Sequence, residues 1–323
     1  MKSVQLLKNA RKLVEICGGV KPGEKALVVT DYNKLSLAEA VAAACHAVGA
    51  EVVVSIMIPR RMHNEEIPKH VAAAMREADV IFAPTTWSIA HTKARVEATK
   101  AGARVVNMPS YEESTLIGGA IDVDFEAQAR LVRKVAEMLT AAKEARVYTD
   151  LGTDIRLGLE GRQGAALTGL IHNPGEFGTP PDVEARITPV EGTSEGVIVV
   201  DGSIPVPEIG LIRDPIRVVV KQGRVTEISG GEQARVFREL LESQRDPEVY
   251  NIAELGIGLN PKGRLVGVMV EDEGSLGTVH IAVGTSAAFG GKVRTSLHLD
   301  MMIRAPVVEL DGRVILDRGA LRV

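Results

Sequence analysis

Cysteine is nearly absent: Cys17 and Cys45 are the two in a chain of 323 residues. They are too few for a disulfide framework and lack the C-x-x-C spacing of a metal clip. Neither lies near a histidine motif that would activate it as a nucleophile, so buried free thiols are expected. Aromatic residues are scarce at 3%, which leaves no platform on which nucleic-acid bases stack. Net charge is only -4, with basic residues scattered among acidic ones, so the footprint of phosphate-backbone binding is missing. No nucleic-acid partner is expected. No apolar run approaches the roughly 20 residues that cross a bilayer. The opening MKSVQLLKNARKLVEICGG reads as a charged amphipathic helix without a signal-peptide core. The expectation is a cytoplasmic protein with no membrane partner.

What is present is an ordinary globular composition, 45% apolar and 25% charged, in a chain long enough for two domains. Up to about residue 145, apolar β-rich runs alternate with Ala-rich helical stretches as in βαβ units. Lys25–Thr30, Glu51–Ile58, Asp79–Pro84 and Ala103–Met108 read as strands buried on both faces. Ser36–Val48, Ile67–Ala78 and Thr92–Ala101 repeat near the helical period. A long helix, Phe125–Ala145, closes this unit. The domain boundary is therefore placed near Ala145: residues 1–145 form a Rossmann-like α/β domain and 146–323 a second one. TDYNKLS follows the first strand where a dinucleotide site would carry G-x-G-x-x-G, and no GxxxxGK[ST] occurs. Trp87 and His91 read as loop or half-buried residues.

In the second half Gly and Pro become frequent, and Asp201-Gly202, Gly230-Gly231 and Asp311-Gly312 punctuate short strands. Val197–Val200, Ile216–Val220 and Arg224–Ile228 read as strands, with one helix at Glu232–Glu242. The fold class expected is an α/β Rossmann-like N-terminal domain plus an α+β, β-rich C-terminal metal-binding domain.

The most informative segment is TSLHLDMMIRA, where His298 and Asp300 stand one residue apart. Residues two apart on a strand share a face, so imidazole and carboxylate project together among apolar neighbours. Burying an unpaired carboxylate is costly, so the pair needs either each other or a metal. TVHIAVG carries His280 alone on an apolar strand. Glu254 lies in a Gly-flanked apolar segment with no cation near it in sequence, and a divalent metal is the economical compensation. Glu184 in PDVEARITP invites the same argument, although Arg186 beside it offers a structural alternative. Glu271 and Glu273 offer loop carboxylates. Two histidines with three carboxylates suit zinc, cobalt, manganese or iron better than calcium, which takes oxygen ligands only. Glu176 reads as a solvated turn residue, Asp154 and Arg156 as a structural strand pair, and Gly290-Gly291-Lys292 as a loop before the His298 strand.

These motifs in order (EARITP from Glu184, Ser194-Glu195-Gly196, Glu254 before Leu255-Gly256, TVHIAVG from Thr278, HLDMMI from His298) resemble the thermophilic metalloaminopeptidases of the aminopeptidase T family. The likeness covers the C-terminal half, and the N-terminal α/β domain is compatible with it. It implies that Glu184, Glu254, His280, His298 and Asp300 hold two divalent metals, zinc, cobalt or manganese, which activate water against an amide bond. It also implies Glu271 or Glu273 as general base and acid, a small-molecule or peptide substrate, and a homodimer. That family has a tyrosine shortly after the His280 motif, where this chain has Ala287 and Phe289. The sequence is also similar, in length and in its H-x-D motif, to iron-dependent dioxygenases that open dihydroxypyridine rings at a two-histidine, one-carboxylate site. Their second histidine falls at Glu254, and His280 is additional. Both departures favour the hydrolase, so an aminopeptidase-like metallohydrolase is the expectation. The alternatives are the Fe(II)-dependent ring-opening dioxygenase and a non-catalytic protein binding a metal or small molecule.

Overall fold

The computed structural model describes residues 2–323. It contains two compact units, one built from the described residues through Ala127 together with Thr168–Pro181, the other from Gln128–Leu167 and Asp182–Val323. The chain thus passes between units three times rather than once near Ala145.

The first unit opens with α1 (Lys2–Lys12) and then alternates β1 (Lys25–Asp31), α2 (Leu35–Val48), β2 (Glu51–Met57), α3 (Lys69–Glu77), β3 (Val80–Thr85), α4 (Lys93–Lys100) and β4 (Arg104–Pro109). The sheet order is β2-β1-β3-β4, parallel throughout, and the returning Phe177–Gly178 pairs beside β4 as a fifth strand. These four strands lie within a residue of their expected ends, because continuous apolar runs between Ala-rich helices admit few other readings. One expectation needs correction. β2 is not buried on both faces: among the described residues it pairs only with β1, and Val53, Val54 and Ile56 are 54%, 41% and 50% exposed. Its apolar run marks a strand without saying where in the sheet the strand lies.

The long helix also ends early, at Ala141, and Glu144–Tyr148 becomes a strand. Backbone amides of Lys143 and Glu144 turn outward to the Asp311 carboxylate. EARVY then buries Ala145 and Val147 on one face between two antiparallel neighbours. Alternation wins over helical continuity there because the edges on both sides are satisfied by pairing.

The second unit is β-rich. An eight-stranded antiparallel sheet runs in the order 224–229, 216–221, 195–200, 154–158, 144–148, 307–310, 313–317, 320–321. Its Gln222-Gly223 turn has positive φ at both residues, 49° and 75°, as a two-residue hairpin requires. The helix Glu232–Ser243 accompanies this sheet. The other sheet is five-stranded and antiparallel, in the order His298–Arg304, Thr278–Gly284, Ile252–Gly258, Glu184–Ile187, Ala165–Leu167. Among the described residues no helix is long and apolar enough to cross a membrane. The fold class expected from the sequence, Rossmann-like α/β followed by a β-rich α+β part, is the one observed.

Candidate metal centre

Four adjacent strands of the five-stranded sheet carry the candidate ligands, and their register brings the side chains together. Glu254 and Asp300 both lie opposite Ala282, His280 opposite Gly256, Glu184 opposite Gly258, and His298 opposite Gly284. Each large polar side chain therefore has a glycine or alanine opposite it on at least one neighbouring strand, which leaves it room to lean that way. Gly256 is the tightest case, since a Cβ there would stand 2.1 Å from both Cε1 and Nε2 of His280.

Nε2 of His280 is the hub. It lies 3.4 Å from Glu254 Oε1, 3.5 Å from Glu184 Oε2 and 3.8 Å from Asp300 Oδ1. Nε2 of His298 is 3.5 Å from Asp300 Oδ1 and 3.8 Å from Glu254 Oε2. These separations are long for hydrogen bonds, whose N···O distance centres near 2.9–3.0 Å. They match the edges of a coordination polyhedron, about 3.0 Å (octahedral) to 3.4 Å (tetrahedral) for metal–ligand distances near 2.1 Å. Glu184 Oε2 and Asp300 Oδ1 are buried without a hydrogen-bond partner, the condition a cation would relieve. His298 donates from Nδ1 to the Thr285 carbonyl at 2.9 Å, which fixes the tautomer that leaves Nε2 free to ligate. Nδ1 of His280 has no such partner. Glu184, Glu254 and His280 alone form a buried triad with the spacing of a metal site. The mixed nitrogen and oxygen donors suit a divalent metal of the first transition row or zinc.

Electrostatics agree. Burial pushes Glu184 up to about 7 despite His280 beside it. Burial likewise holds Asp182 and Glu273 well above the ordinary carboxylate range, with neighbouring carboxylates adding to the rise. Burial opposes ionisation of Asp300, but the His298 imidazole carries it below its usual value. His280 rises to about 10 because the acids around it outweigh burial. The cluster is rich in acids and short of positive charge.

Arg186 supplies one cation. It lies opposite Gly256 and donates from Nη1 to both oxygens of Glu254 at 3.3 Å, drawing Glu254 below its usual value against the effect of burial. No cation lies near Glu254 in sequence, but the sheet brings Arg186 to it, and the ion pair is with Glu254 rather than Glu184. Beside Glu254 opens a cavity of about 190 Å³, lined by Arg186, Thr188, Ala288 and Phe289 among others. Phe289 lies under the Arg186 guanidinium, 4.2 Å from its carbon, with its ring 4.8 Å from that of His298.

Of the two loop acids, Glu273 reaches the cluster, where its carboxyl hydrogen-bonds Asp300. Glu271 is buried in the short helix Met269–Asp272. Asp182 belongs to the cluster and escaped sequence reasoning, although it stands two residues before Glu184, just ahead of the strand Glu184–Ile187. The remaining candidates lie elsewhere. Glu176 accepts from the His172 and Asn173 amides in its own turn. Asp154 pairs with Arg146, and Arg156 with Glu144, on the sheet surface. Trp87 packs edge-on against His63, and the His91 amide donates to Asn64. Gly291 closes the loop against Ser286 and Thr188, where a Cβ would find no room. Cys17 and Cys45 are buried and free, as expected.

Comparison with known proteins speaks to the reaction. The sequence model of the family described as 2,5-dihydroxypyridine 5,6-dioxygenase matches residues 5–323. The curated 2,5-dihydroxypyridine 5,6-dioxygenase of Pseudomonas putida is 25% identical over 256 residues, 76% of this chain and 71% of that protein. The solved structure of 2,5-dihydroxypyridine dioxygenase from the same species superposes with a TM-score of 0.85 at 20% identity, covering 99% of this chain and 98% of that one. Wild-type AmpT from Thermus thermophilus superposes with a TM-score of 0.73 at 16% identity, each chain fully covered. At that identity the likeness to AmpT extends to the fold alone. The family match overturns the expectation of an aminopeptidase-like metallohydrolase. The short motifs behind that expectation build a sheet common to both folds, and they do not specify the reaction.

Proposed function

Because the chain belongs to the 2,5-dihydroxypyridine 5,6-dioxygenase family, we propose that it is a ferrous-iron-dependent dioxygenase opening the ring of a dihydroxypyridine-like heterocycle. The supporting observation is the approach of two imidazoles to one carboxylate. Nε2 of His298 and Nε2 of His280 lie 3.5 and 3.8 Å from Asp300 Oδ1. Two histidines and a carboxylate are the donor set of non-haem Fe(II) oxygenases, with positions left open for substrate. In the resembled dioxygenases the second histidine falls at Glu254. Here His280, on the neighbouring strand, supplies that imidazole, and Glu254 is tied to Arg186.

When bound, ferrous iron supplies the one-electron chemistry through which an electron-rich ring reacts with dioxygen. The chain's own residues do the rest. The Thr285 carbonyl orients His298. Burial and the neighbouring acids raise Glu273 well above the ordinary carboxylate range, and its hydrogen bond with Asp300 helps hold that carboxylate in place. Glu184 Oε2, buried without a partner 3.5 Å from His280 Nε2, is an acceptor for a proton within the cluster. Phe289 forms part of the cavity wall. At about 190 Å³ the cavity suits one aromatic ring; an apolar cavity of about 150 Å³ takes up benzene.

The test is oxygen consumption by protein loaded anaerobically with Fe(II), with 2,5-dihydroxypyridine as the trial substrate. Uptake of one dioxygen per ring lost is expected. His298→Ala and His280→Ala should lose iron by more than the about 10–100-fold that outer-shell partners are worth. Ring loss without oxygen, or equal turnover by zinc-loaded protein, would overturn the reading.

A further inference from the structure

The guanidinium of Arg186 is only partly used. Its Nη1 is shared between the two Glu254 oxygens at 3.3 Å, and one face is covered by Phe289 at 4.2 Å. Its Nε is buried without an acceptor among the described residues. A buried charged donor left unmade costs more than a neutral one, and in native proteins it calls for an explanation. Phe289 covers one face of the group, the Arg186 side chain remains 23% exposed, and it lines the cavity beside Glu254. Arg186 is the only cation in the lining of that cavity. Thr188 does not compete for the role, since its hydroxyl already donates to the Phe289 carbonyl at 2.8 Å.

We propose that the substrate bears a carboxylate on its ring and that Arg186 receives it through the guanidinium donors that Glu254 does not take. The inference rests on the ring-opening reading above and narrows it to a hydroxylated pyridine carboxylate. A carboxylate has two oxygens at the spacing of that fork, so it satisfies both donors in parallel, whereas a lone hydroxyl satisfies one. Charge points the same way. The cavity shares a wall with Glu254, and an anionic ring enters beside that carboxylate only if a cation pairs with it. A neutral ring gains one hydrogen bond at most and no charge pairing from Arg186. The His298 imidazole packs on the same Phe289 ring that lines the cavity, so a ring held there lies beside the cluster.

The experiment is calorimetric binding to iron-loaded protein under argon, where no turnover occurs. 2,5-Dihydroxypyridine is compared with the positional isomers of its monocarboxylate. One carboxylate isomer should bind wild type at least about tenfold more tightly than the uncharged ring, in line with a charge-assisted bidentate pair. Arg186→Gln should abolish that preference, bringing the ratio of the two affinities to within about twofold of unity, and Arg186→Lys, with a charge but no fork, should fall between. Equal binding of charged and uncharged rings by wild type would overturn the proposal without any variant, as would a preference that survives Arg186→Gln. Metal content and oxygen uptake are measured on the same samples. If the preference is present and lost with Arg186 while neither ring consumes oxygen, the carboxylate site stands and the dioxygenase reading fails. If oxygen is consumed and the preference is absent, the reverse holds.

Discussion

Gly256→Ala is the substitution that tests the site most sharply, because it adds one methyl group and removes no ligand. The new carbon would lie 2.1 Å from Cε1 and Nε2 of His280 and 2.8 Å from its Nδ1. Ordinary contact begins near 3.4 Å, so the ring must retreat by about 1.3 Å. Metal sites tolerate ligand displacements of only about 0.2 Å, so His280 leaves the donor set. Metal affinity should fall at least about 100-fold, or roughly 2.7 kcal/mol. Overpacking adds a folding cost of about 1–3 kcal/mol. The assay is competition for metal against a chromophoric chelator, with thermal unfolding of metal-free protein in parallel. Gly256→Ala/His280→Ala closes a double-mutant cycle. If the methyl acts through the ring, the double variant should match His280→Ala in metal affinity and regain the stability lost to crowding. Metal affinity within twofold of wild type for Gly256→Ala would refute the reasoning.

Two further outcomes follow from buried ionisable groups. In metal-free protein Glu184 sits at about 7 against an ordinary 4.5, and His280 at about 10 against 6.5. Each holds more protons folded than unfolded between its two values, so both contributions to stability are lost as pH rises, first through the Glu184 window and then through that of His280. A metal displaces these protons, so its affinity should increase over the same range. Melting temperatures of chelated and metal-loaded protein between about pH 6 and 9 should therefore diverge as pH rises, and a constant gap would count against the cluster. The second outcome concerns the thiols. Burial raises Cys17 and carries Cys45 up to about 12, so neither should react with a thiol reagent at mildly alkaline pH until the chain is unfolded. Rapid labelling of the native protein would contradict their placement.

The sequence by itself determined which segments are strands and helices in the first unit, because apolar runs and helical periods record how each segment buries its own side chains. It also determined that His298 and Asp300 share a face, since side chains alternate along a strand, and that His280 and Glu254 are isolated polar groups in apolar strands. Relations between distant segments were decided only by tertiary pairing. β2 is an edge because, among the described residues, nothing pairs with its outer side. The long helix stops at Ala141 because Asp311, far along the chain, takes the next amides. Arg186 belongs to Glu254 and Gly256 to His280 because antiparallel register sets residues far apart in sequence opposite one another. Asp182 stands two residues before Glu184, just ahead of the strand Glu184–Ile187, and its membership of the cluster depends on which strand lies alongside. The reaction was the least legible feature. The ligand-bearing motifs encode a sheet that gathers imidazoles and carboxylates, and a metal held there can serve either hydrolysis or oxygen chemistry. What separates the two is which donors close on the metal and what fills the cavity beside Arg186 and Phe289, and no single strand carries that information.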